Sequence, residues 1–217
     1  MVLYSTGMPS TPEAYLQLIS KHQSLANFLW ITWMLGGFMF IAPTVAFYSA
    51  LRRYSGTLAL VGTVLSGFYI FYDISVTELN SLTLAGISQG YASATSDVLR
   101  ASYVTAATYG FYALPLQTVL SYGVGAAGWL FWSIAMVKSS FGLRTAILGI
   151  VVNSIGIVGA AHPMVQSSFA LGLLQFITPP LTSAWAIVIG VQLYRRRHQF
   201  ASGEIEGSEP RAAGAEH

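Results

Sequence analysis

"FYIFYDISVTELN", Phe68 to Asn80, places an aspartate directly behind a run of aromatic and aliphatic side chains. Whether Asp73 ends a membrane span or interrupts one fixes how the rest of the chain is threaded. The apolar stretch leading into it, 56–76, has the roughly 20 predominantly apolar residues that a spanning helix needs. Counted from Thr57 at 1.5 Å per residue, Asp73 stands about 24 Å up a hydrocarbon layer near 30 Å thick. That depth is just inside the outer interface, so the span ends shortly beyond the aspartate.

Composition agrees with a membrane reading. Of 217 residues, 54% are hydrophobic and only 8% charged, and the mean hydropathy is +0.59. A soluble domain carries roughly 25% charged residues. The net charge of +2 is too small to suggest a nucleic-acid partner. The absence of cysteine excludes disulfides, thiolate metal sites, iron–sulfur clusters, a cysteine nucleophile and a lipoprotein anchor. The N-terminal "MVLYSTGMPSTPEAYLQ" has no basic region followed by an apolar core, so no cleavable signal peptide is expected.

Working outward from 56–76, further apolar stretches occupy 27–51, 113–137, 145–161 and 165–194. Five transmembrane helices are therefore predicted, in an all-α, polytopic helical bundle. Arg52, Arg53, Lys138, Arg144, Arg195, Arg196, Arg197 and Arg211 share one side of that threading, and only Lys21 and Arg100 lie on the other. Basic residues in short loops mark the cytoplasmic side. The N-terminus is accordingly expected outside and the C-terminus in the cytoplasm.

Three segments do not span. Thr11, Pro12 and Glu13 make a good helix start, and Tyr15, Leu18, Ile19, His22, Leu25 and Leu29 recur at helical spacing. Residues 1–26 therefore predict an N-terminal amphipathic, interfacial segment. Residues 81–110 are small and polar and predict an external helical segment, with Asp97 and Arg100 paired three apart and a bend near Pro115. The bundle occupies 27–197, and 198–217 reads as a disordered cytoplasmic tail.

Small residues four apart let helices approach closely in lipid. Ala42, Ala46 and Ala50, then Gly62 with Ser66, Gly123 with Ala127, and Gly156 with Ala160 supply that pattern, read as packing within the chain. Asn153 and Gln175 lie at similar mid-membrane depth and are expected to hydrogen-bond each other as intramembrane polar packing. Pro179 and Pro180 are expected to interrupt and kink the fifth span.

On the outer side, Tyr69, Tyr72, Asp73, His162 and Arg100 form the candidate ligand-binding polar cluster. Two readings of Asp73 stay open. It is an interfacial carboxylate, solvated or paired with Arg100 or His162, that fixes the external segment, or it lines an aromatic–acidic cleft, since intramembrane ionisable residues are site candidates by default. Axial histidine pairs for haem, an intramembrane lysine, a metal-ligand set and a phosphate loop are all missing. No catalytic residue, metal or cofactor is implied, and nothing points to an enzyme.

At "AFYSALRRYSGTLALVGTVLSG", "WSIAMVKSSFGLRTAILGIVVNSIGI" and "TPPLTSAWAIVIGVQLYRRR" the order of features resembles a bacterial and archaeal membrane family catalogued as domain of unknown function 4386. The matching positions are Tyr48, Leu51, Arg52 and Arg53, then Met136, Lys138, Arg144 and Gly149, then Trp185, Gly190, Leu193 and Tyr194. The resemblance runs from about Ala46 to Arg197 and implies a membrane bundle but no activity. The function expected is a non-catalytic scaffold or accessory subunit, with the lipid bilayer and other membrane subunits as partners. The alternative is a binder or carrier of a small molecule, lipid or quinone in the outer cleft.

Overall fold

The computed structural model describes residues 9–165 and 168–195, and all its regular structure is helical. The expected tail, 198–217, and Arg196, Arg197 and Arg211 lie outside the described residues. Five helices are long and apolar enough to cross a membrane: Gln23–Leu51, Gly56–Ser93, Asp97–Met136, Leu143–Met164 and Phe169–Arg195.

Helix α1 (Pro12–Lys21) begins as its sequence dictates. The Thr11 side chain accepts from the Ala14 amide, Pro12 sits in the first turn and Glu13 faces the positive helix end. Of the expected face Tyr15 and Ile19 are buried and Leu29 packs beside them, but Leu16, Ala26 and Trp30 are buried where His22 and Leu25 are exposed. The reason is local: His22, at φ −125° and ψ 30°, leaves the helix between α1 and α2 (Gln23–Met39). One helical phase therefore does not carry across it.

The first span has a second break, at Phe40, before α3 (Ile41–Leu51). Pro43 has no amide hydrogen to offer the Met39 carbonyl, and its ring crowds that carbonyl. The inward face of α3 is Thr44, Phe47, Ala50 and Leu51. Ala42 and Ala46 of the expected small-residue stripe are exposed.

Helix α4 (Gly56–Tyr72) passes through a π turn, Asp73–Glu78, into α5 (Leu79–Ser93) without leaving helical geometry. The 38 residues span about 57 Å, so roughly 27 Å projects beyond a hydrocarbon layer near 30 Å. After a short turn, Ser96 caps α6 (Asp97–Met136), a single helix of 40 residues. The two form a long antiparallel hairpin. Its register is constant, with Gly62 on Trp132, Ser66 on Gly128 and Gly90 on Tyr103. At Gly128 a Cβ would come within 3.0 Å of the Gly62 carbonyl, which is why small residues hold this seam.

Helix α7 (Leu143–Gly159) and α8 (Phe169–Arg195) complete the bundle, with a 3₁₀ turn at His162–Met164 between them. Gly142, at φ +87°, makes the turn from α6 into α7. Gly156 faces both Ala126 and Thr178, so α7 lies between α6 and α8. Helix α8 runs through Pro179 and Pro180. The Thr178 hydroxyl donates to the Leu174 carbonyl there.

Two cores result. One lies at the tip of the hairpin, where Tyr15, Leu16 and Ile19 of α1 pack against Leu84, Ala85, Ala107 and Phe111. The other lies at the basic end, where Phe47 stacks on Trp132 at 4.6 Å and Trp185 joins from α8. Between them the hairpin interface turns polar.

Candidate functional site

The π turn creates the polar layer. In an α-helix, residues five apart are rotated by about 140° from one another, so Asp73 and Glu78 would face opposite sides. A π turn bonds i to i+5 and brings such residues onto one face. Asp73, Thr77 and Glu78 are all buried, at 3%, 7% and 6% exposure, while Ser75 between them is exposed. Ile74 lies against Gly37, which docks the turn on the first span.

Two carboxyl groups are thereby enclosed within the bundle. The Ser121 hydroxyl of α6 donates to Asp73 Oδ1. Glu78 Oε2 and Thr77 Oγ1 are buried and have no hydrogen-bond partner. Neither acid has an ion-pair partner among the described residues. Tyr69, one turn below, is 6% exposed and within electrostatic reach of both acids. Its ring packs against Gly125 and meets Trp129 edge-on at 5.7 Å.

Tyr69 also forms one wall of a groove of about 270 Å³ between the first span and α4. Leu29, Thr32, Trp33, Gly36, Gly37 and Phe40 make up the rest, so the lining is almost wholly apolar and aromatic. One tyrosine thus joins an apolar groove to a buried acid pair.

Of the expected polar cluster, Tyr69 and Asp73 come together and three members do not. Tyr72 stacks on Phe68 at 5.6 Å, at the edge of the bundle. Arg100 sits near the hairpin tip, 3.8 Å from Asp97, and about 31 Å along α6 from Ser121. His162 bonds Gln175 at 2.8 Å. Anchoring of Asp73 by Arg100 or His162 is therefore corrected: the arginine is too far along its helix, and the histidine is engaged by α8.

The expected Asn153–Gln175 bond is corrected too. Gly159 packs on the backbone of Gln175, which sets Gln175 about 9 Å above Asn153 along α7. Asn153 instead donates to Ser133 Oγ at 3.3 Å and to the Gly149 carbonyl at 2.8 Å.

Glu78, Thr77 and Ser121 were missed by the sequence reading. An unbroken 3.6-residue repeat turns Glu78 away from Asp73. A serine within an apolar helix carries no signal of its own. Among the described residues no three of His, Cys, Asp and Glu gather to hold a metal. The oxygen-only set of Asp73, Glu78, Thr77 and Ser121 suits a proton, a hard cation or an ammonium group. Compared with protein-family models, curated proteins and solved structures, the chain matches none.

Proposed function

We propose that the protein is a small-ligand binder of the membrane, and that its site takes a positively charged group between Asp73 and Glu78. The observation that carries this reading is the enclosure of two acids with no basic partner among the described residues and one carboxylate oxygen unpartnered. Burying an ionised carboxylate without compensation is expensive. A cation bound between the two acids relieves that cost. A purely structural subunit has no need of such a pair, so this reading ranks above the scaffold. The resemblance to the family of unknown function brings no activity with it, and the site alone argues the function.

The same proposal places the hairpin tip and α1 outside a prokaryotic plasma membrane, with the acid pair at outer-leaflet depth. Arg52, Arg53, Lys138, Arg144 and Arg195 support it, since all lie at the opposite end of the bundle.

The test is thermal unfolding of purified protein against Na⁺, Ca²⁺ and an alkylammonium ion at constant ionic strength. A ligand at a hundredfold its Kd stabilises by about 2.7 kcal/mol. At least one of the three should raise the midpoint of the wild type and leave Asp73→Asn/Glu78→Gln unmoved. Equal responses in both proteins, or none in the wild type, would overturn the reading.

A further inference from the structure

We infer that the charged ligand is an organic amine with an apolar body: its ammonium lies at Asp73 and Glu78 and its hydrocarbon in the groove behind Tyr69. This rests on the cation-binding reading above and narrows it to one chemical class.

Three observations lead there. The acid pair asks for positive charge, and the elements packed on the π turn supply none. The first span has only Tyr48, at its basic end, α5 has Tyr91 near the tip, and the one basic residue of α6, Arg100, is 3.8 Å from Asp97, far along its helix. The tyrosines of α4, Tyr69 and Tyr72, add no positive charge. The groove that shares Tyr69 with the acids is apolar, so an inorganic cation would leave it without a role. Its volume of about 270 Å³ suits a short chain or a single ring. Its walls also present aromatic faces: Trp33 meets Tyr122 at 6.5 Å, and Phe40 stacks on Trp129 at 5.5 Å. An ammonium passing between them is attracted by the ring faces as well as by the acids.

Gly36 offers a clean way to close the groove. It lines the wall, and a Cβ there would meet no atom within 4 Å. Gly36→Leu therefore fills the groove without displacing the packing at Gly37 and Ile74.

The experiment compares octylammonium, octanol and octanoate, together with Na⁺ and Ca²⁺, by thermal unfolding of the full chain in one detergent. The three organic probes share a chain and differ in the head. Octylammonium should raise the midpoint, and octanol and octanoate should not. Its apparent affinity should fall by about tenfold or more in Glu78→Gln, the loss expected for a charge-assisted contact. It should fall likewise in Gly36→Leu, while Gly36→Ala keeps the response and shows that the backbone tolerates a side chain there. A response to Na⁺ or Ca²⁺ that disappears in Asp73→Asn, without one to octylammonium, overturns this inference and leaves the cation site standing. Equal responses to octanol and octylammonium overturn it as well, since the head would then not be read. No response to any cation defeats both readings.

Discussion

Glu78 and Ser121 are predicted to move stability in opposite directions. Glu78 Oε2 is enclosed without a partner, and a carboxylate is costlier to bury than an amide. Glu78→Gln keeps the shape and removes the charge, so the ligand-free protein should gain about 1 kcal/mol or more in unfolding free energy. Ser121→Ala does the reverse. It takes from Asp73 the hydroxyl that donates to Oδ1, and a loss of about 1–3 kcal/mol is expected for an orphaned buried acceptor. In the Asp73→Asn background the loss at Ser121 should shrink, because the orphaned group is no longer a carboxylate. Denaturant unfolding of the four proteins checks this. Additive effects at Ser121 and Asp73 would show that the hydrogen bond does not contribute.

At the level of elements, the π turn is an α-helix carrying one extra residue, and that view makes it testable. Deleting Ser75, the exposed member of the turn, leaves Asp73 and Glu78 four apart. Four apart is one α-helical turn and the same face. The register of α5 on α6 beyond the turn is kept. The deletion should therefore fold and retain its response to cations. Deleting Gly67, where a Cβ would meet nothing within 4 Å, has no extra residue to absorb it. Everything above would rotate by about 100°, and monodisperse protein should be lost. If both deletions behave alike, the turn is not an inserted residue. The same segment marks the limit of what sequence shows. Thr11, Pro12 and Glu13 announced α1, Ser96 and Asp97 stand where α6 begins, and the basic loops bounded the spans. What periodicity assumes is an unbroken 3.6-residue repeat. It failed where His22 and Pro43 reset the phase, and where the π turn rotated Glu78 inward. The composition of 81–110 indicated a segment outside the lipid. It carried no trace of the long hairpin, whose tip is held by Tyr15, Leu16 and Ile19 from the far end of the chain.

For the whole molecule, orientation follows from how charge is divided between the two ends. Arg52, Arg53, Lys138, Arg144 and Arg195 lie at one end, with no acid among the described residues there. Lys21 and Arg100 at the other end are accompanied by Glu13 and Asp97. Lysine and arginine near span ends are retained on the cytoplasmic side, so the hairpin tip should face outward. That direction suits the site, because the acid pair lies about 25 Å above the start of α4 at Gly56 and is reached more directly from the outer leaflet. The chain has no cysteine, so a single introduced thiol reports one position without background. Thr95→Cys marks the hairpin tip and Thr57→Cys the basic end, and both positions are exposed. A membrane-impermeant maleimide applied to intact cells should label Thr95→Cys fully and Thr57→Cys only after lysis. The reverse pattern would place the tip in the cytoplasm and turn the acid pair toward the inner leaflet. Labelling of both in intact cells would mean that the five helices do not form a single membrane-crossing bundle.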